Sequence, residues 1–219
     1  SLQVPFTLAA EPNTDLWKKP PAHDVSTGMF SPSLFLSLCL DFTVSDHTDH
    51  HPSFSPAPKK SHSKGLLSKF VSATATFSST YTTLYDQAGL GLTLTSPSAD
   101  APKWIKTGVE FYNNVPQYSV VATDNWSDWS IGALPAQFNS GDVASGKQEV
   151  TFRIQKEDGS LWFYLQDGEG LSVPLRETTW VYGLGDDWEV DVAALVARPN
   201  KEVKDNLEAN FTKFEVEWA

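Results

Sequence analysis

One short stretch, Trp104-Ile105-Lys106-Thr107-Gly108-Val109-Glu110-Phe111, sets an indole, an ammonium and a carboxylate at alternating positions. Alternate residues of a β-strand point to opposite faces. Ile105, Val109 and Phe111, with Thr107 between them, therefore share a face suited to a core. Trp104, Lys106, Gly108 and Glu110 share the other, which presents a ring, a cation, a gap and an acid. That is the composition of a ligand-facing surface, and saccharides are the ligand class it first suggests. Aromatic rings cover the flat apolar faces of sugars, while Asp, Glu, Gln, Asn and Lys meet the hydroxyls. Tyr85, Gln87, Asp128 and Trp129 supply more of both kinds. The competing reading pairs Lys106 with Glu110 in an ion bridge that only holds the strand in register.

The same residues bear on catalysis. Glycoside cleavage needs two carboxylates, about 5–5.5 Å apart for retention or about 6.5–9.5 Å for inversion. Glu110 is the leading acid or nucleophile, but Gly108 and Lys106 occupy the positions two and four residues before it. A partner must come from elsewhere, with Asp86 or Asp128 as candidates. Asp86 shares a side with Leu84 and has a competing structural reading, as a buried, hydrogen-bonded acid that fixes the turn before Gly89. For Ser127-Asp128-Trp129-Ser130 the favoured reading is a turn, with Asp128 capping local N–H groups and Trp129 packed as an anchor.

Other chemistry finds little support. His47-Thr48-Asp49-His50-His51, with His62 beyond, has metal-ligand types but sits in polar text without rigid support, so no metal is expected. No cofactor is expected either. Gly89-Leu90-Gly91 lies inside strand-like sequence and lacks a following helix, and no serine nucleophile elbow is present. Cys39 falls in an apolar run and reads as an inert core thiol.

The elements that must position these residues are strands. Leu34 to Leu40 alternates within a strand-like run from Ser33 to Val44. Residues 45–64, rich in Ser, Pro, His and Lys, read as a flexible insertion. Strand patterns follow at Val71–Phe77, Gly89–Thr95, 104–111, Tyr118–Thr123, Glu149–Gln155, Leu161–Gln166, 188–197 and Phe211–Trp218. Asp158-Gly159 marks a tight hairpin. Only 200–209 reads as a short helix. Many strands punctuated by Gly, Pro and Asn predict an all-β, two-sheet antiparallel sandwich, one domain over 1–219.

Composition narrows the partners. The 219 residues carry a formal net charge of −11, which opposes binding to nucleic acid or to an anionic membrane. The apolar run Leu34–Leu40 is too brief to span a membrane. The single cysteine excludes an internal disulfide and fits a reducing compartment, or a secreted protein that needs no bridges; a cytoplasmic setting is the expectation. No signal peptide is legible, and the triplets at Asn125 and Asn210 matter only on a secretory route.

Three segments carry a resemblance: Leu84-Tyr85-Asp86-Gln87-Ala88-Gly89-Leu90, then Trp104 to Glu110, then Ser119-Val120-Val121-Ala122-Thr123 leading to Ser127-Asp128-Trp129-Ser130. Asp15-Leu16-Trp17-Lys18-Lys19-Pro20 and the Asp158-Gly159 hairpin stand in the matching order. Over residues 13–218 the chain resembles the DUF1349 family, some of whose members are called regulation-of-enolase proteins. The His-rich insertion and Ala122 depart from the pattern. The resemblance implies a concanavalin A-like jelly roll, similar to lectins and glucanases. The first expectation is a non-catalytic carbohydrate-binding sandwich acting in sugar metabolism or its regulation. The second is a glycoside-cleaving enzyme using Glu110. The third, implied by the family's naming, is a protein-interaction regulator of a glycolytic enzyme such as enolase.

Overall fold

The computed structural model describes residues 2–20, 55–168 and 172–219. Two six-stranded antiparallel sheets form a jelly-roll sandwich. The first sheet has the order β1 (Phe6–Ala10), β14 (Leu207–Trp218), β5 (Phe70–Ser79), β10 (Val150–Glu157), β11 (Ser160–Gln166), β12 (Ser172–Thr178). The second runs β4 (Lys59–Leu66), β13 (Glu189–Ala197), β6 (Gln87–Thr95), β7 (Lys103–Tyr112), β8 (Val115–Thr123), β9 (Ser127–Ala133). Two short strands, β2 (Thr14–Asp15) and β3 (Ser55–Pro56), pair in parallel outside both sheets.

The core follows from the period of two. Phe77, Phe152, Ile154, Phe163 and Phe211 of the first sheet pack against Leu90, Leu92, Ile105, Val109, Val120 and Val192 of the second. Phe77 lies at the centre, with ring centroids 5.8 Å from Phe152 and 5.3 Å from Phe211. Asp158 and Gly159 both have positive φ, 45° and 82°, the signature of a two-residue turn whose twist matches its strands. Asn113 and Asn114, at 53° and 63°, make the equivalent turn between β7 and β8.

Three sequence expectations differ from the structure. Residues 59–64 of the supposed flexible insertion lie in β4, which pairs with β13 from Lys59 to Leu66. Its lysines disguise a strand, yet they suit an edge that must resist pairing with other chains. His62 stands in this strand with its ring 4.9 Å from that of Phe214. The expected helix at 200–209 is instead a turn followed by the start of β14, because Leu207–Asn210 finds hydrogen-bond partners in β1. Ser127–Ser130 is strand β9 and not a turn, since the free edge of β8 extends its ladder. The expected strand at 33–44, with Cys39, and His47, His50 and His51 lie outside the described residues.

Candidate functional site

The second sheet turns one face to the core and leaves the other for the site. Across that outer face the register aligns Gln87, Glu110 and Gln117 in one row. Gly89, Gly108 and Ser119 form the next, and Gly91, Lys106, Val121 and Trp129 the one after. The glycine row is a gap between Lys106 and Glu110. A Cβ on Gly108 would fall 2.0 Å from the Ala88 carbonyl oxygen, so the close approach of β6 and β7 admits no side chain there.

A strap from the N-terminal segment crosses this face. At one end Thr14 donates its N–H to the carbonyl of Arg198 at 3.2 Å, and its hydroxyl accepts from Arg198 N–H at 3.0 Å. At the other, Lys18 and Ser127 are joined by two 2.8 Å bonds, Ser127 N–H to Lys18 O and Lys18 N–H to Ser127 Oγ. Between these anchors Leu16, with Ala57, packs onto Trp104, Val121, Leu195 and Ala197 in a second apolar cluster.

Trp104 is therefore corrected as a site residue. It lies on the predicted face of β7 but is only 1% exposed. Its outward direction was legible; the strap that buries it was not. Asp128 is corrected as well. On β9 it points away from Trp129, towards the rim between the sheets, where Arg176 of β12 holds it in an ion pair. Arg176 also donates to the Asp128 carbonyl at 3.0 Å and to Ser130 Oγ at 2.9 Å.

Beside the strap an open cleft of about 180 Å³ brings together Tyr85, Gln87, Lys106, Glu110 and Trp129. The strap adds Asp15, Trp17 and Lys19, and Pro199 completes the wall. Sequence reasoning did not select those four as site residues, although Asp15-Leu16-Trp17-Lys18-Lys19-Pro20 carried part of the resemblance. Its three charges around one Trp were the available signal.

Lys106 and Glu110 do not share an ion bridge. Lys106 donates to Asp15 Oδ1 at 2.7 Å, and the same oxygen accepts Leu16 N–H at 2.7 Å. Both side chains of this pair are nearly buried. The ammonium also stands 6.0 Å from the ring centroids of Trp17 and Trp104. Glu110, buried two residues beyond the glycine gap, accepts from Trp129 Nε1 at 3.1 Å. Trp129 Nε1 also reaches Ser119 Oγ at 3.1 Å. Burial raises the Glu110 carboxyl above its ordinary value and the Asp15 charge adds to the rise, against the opposing pull of Lys106 and the hydrogen bonds from Ser119 and Trp129.

The aromatic wall is built around Trp129. Its ring meets Trp17, Tyr112 and Tyr85 edge-on, at centroid distances of 6.3, 5.5 and 6.4 Å. Tyr85 reaches it from the turn before β6 with φ +68°, a left-handed conformation uncommon for a non-glycine residue. The fully buried Asp86 holds that turn. Its carboxylate accepts the N–H groups of Thr82 and Thr83, each at 3.0 Å, and the Thr83 hydroxyl at 2.9 Å, with Arg198 at 3.8 Å. Among the described residues no group of three His, Cys, Asp or Glu side chains is placed to hold a metal. No helix among them is long and apolar enough to cross a membrane.

Comparison with known proteins places this architecture. An uncharacterized protein of Emericella nidulans is 35% identical over 218 residues, covering 99% of this chain and 88% of that protein. A functionally unknown protein from Saccharomyces cerevisiae shares the fold with a TM-score of 0.59 at 17% identity, covering 100% of this chain and 94% of the other. A GH43 protein of Bacillus licheniformis aligns with a TM-score of 0.50 at 10% identity, over 69% of this chain and 28% of its own. The two structural likenesses speak to the sandwich alone. The family described as "Protein of unknown function (DUF1349)" matches residues 3–218. With the strap, the Tyr85 turn, β7 and β9 all inside that span, the chain is a member of the DUF1349 family.

Proposed function

We propose that the protein is a non-catalytic carbohydrate-binding sandwich acting in sugar metabolism or its regulation, with the strap-side cleft as its site. The observation that carries this reading is the joint placement of aromatic rings, Trp17, Tyr85 and Trp129, with Gln87, Lys106, Glu110 and Asp15 around one open cavity. Rings supply area for sugar faces, and the fixed polar groups supply direction. A cytoplasmic setting belongs to the same proposal. A glycan array tests it. Tyr85→Ala removes a half-exposed ring and should abolish a saccharide signal while the fold persists. Absence of binding to every saccharide defeats the reading.

A second reading, glycoside cleavage, has one observation in its favour. Asp15 supplies the cleft with the second carboxylate that β7 lacks, and burial raises the Glu110 carboxyl above its ordinary value, the direction a general acid requires. Asp15 Oδ1 is already engaged by an ammonium and an N–H, which weighs towards binding over chemistry. Product analysis on a polysaccharide panel decides: cleavage lost in Glu110→Gln would establish this reading in place of the first. The enolase-directed reading rests on family naming, and no feature of the described residues adds to it.

A further inference from the structure

The strap does more than bury Trp104. A saccharide polymer lying over the outer face of the second sheet needs a path from one side to the other. Here that path is crossed. The strap is tied to Arg198 beside the end of β13 and to Ser127 at the start of β9, so it spans the sheet from one flank to the other. Beneath it no space is left, because its own Leu16, with Ala57, packs directly against Trp104 and Leu195. The Lys106–Asp15 pair pins the strap from below at 2.7 Å. The remaining cleft holds about 180 Å³, below the roughly 300–1,000 Å³ of sites that enclose drug-sized ligands.

Resting on the carbohydrate reading above, we infer that the cleft takes the end of a saccharide, one or two terminal units, and does not seat the interior of a polymer. The terminal unit sits with Trp129 and Tyr85 beside it and Trp17 of the strap across its leading edge. The rest of the glycan leaves on the side away from the strap. The recognised class is thus free mono- and disaccharides and the exposed termini of longer glycans.

The test uses the unmodified protein and three linkage series, maltose to maltohexaose, cellobiose to cellohexaose and xylobiose to xylohexaose, titrated by calorimetry. The polymer of each linkage is added before and after shearing. End-on seating predicts that disaccharide and hexasaccharide of a recognised series bind within about threefold of each other. It also predicts that shearing a polymer to about one tenth of its length raises protein bound per unit mass about tenfold, because ends are counted and not length. Affinity that climbs by more than about tenfold from two to six units, with capacity per mass unchanged by shearing, overturns end-on seating and leaves the carbohydrate reading intact. Failure of all three series, with their polymers and component monosaccharides, overturns end-on seating, and only absence of every saccharide signal on the glycan array removes the carbohydrate reading with it.

Discussion

At the scale of residues, the cleft is governed by two acids that meet their surroundings differently. Asp15 answers a nearly buried ammonium, so removing it leaves Lys106 charged without its partner. Asp15→Ala should cost about 3–5 kcal/mol in urea unfolding, and adding Lys106→Met should recover much of that loss, because a buried ion pair is dearer broken than replaced. Glu110 is buried with its carboxyl raised above the ordinary 4.5. An acid whose folded value exceeds its unfolded value binds more protons when folded, so its contribution to stability falls as pH rises from the unfolded value through the folded one. Glu110→Gln escapes that fall. Its melting temperature relative to the parent should increase between about pH 4 and pH 8, and a constant difference would contradict the burial of an ionising group. The face shared by Lys106 and Glu110 was legible from alternation alone. Their partners were not, because Asp15 is 91 residues distant from Lys106 and nothing local marks the pairing.

At the scale of elements, the glycines separate two physical roles. Gly159 has φ +82° and open space around its Cβ position, so Gly159→Ala is strained only in its backbone and should cost about 1 kcal/mol. Gly108→Ala meets a carbonyl oxygen at 2.0 Å and forces β6 and β7 apart. It should cost at least about 3 kcal/mol, and denaturant unfolding of the two variants compares them directly. The strap behaves as part of the fold: Trp104→Ala, emptying the cluster beneath Leu16, should lose about 3–5 kcal/mol. Most strands announced themselves through strict alternation, as in Leu161–Gln166. Strand β4 did not, since Lys59-Lys60-Ser61-His62 is polar on both sides and becomes a strand only because β13 offers an unpaired edge. The helical pattern at 200–209 yielded for the same reason, its later residues being claimed by β1.

At the scale of the whole molecule, the formal net charge of −11 sets the field that any ligand must enter. A neutral saccharide feels little of it, because it carries no net charge for that field to act on. Its affinity should change less than about twofold between low and high salt, whereas polyanion binding through released counterions would weaken by orders of magnitude. Calorimetry across a salt series checks this, and a steep salt dependence would point to a charged ligand. The sandwich itself is a scaffold that proteins of differing activity share, so the proposed function is argued from the cleft and not from the fold.

Alone, the sequence determined the strand alternation, the tight turn at Asp158-Gly159 and the β7 pattern, because a period of two is a local property of extended backbone. It also carried the family signature. Only the tertiary structure decided which outward residues stay accessible. Trp104 and Lys106 point the same way from one strand, yet the strap seals the first while the second borders the cleft. Asp128 and Trp129 are neighbours, yet one turns to Arg176 and the other to Glu110. Direction is set within a strand; cover and company are set by segments that arrive from far along the chain.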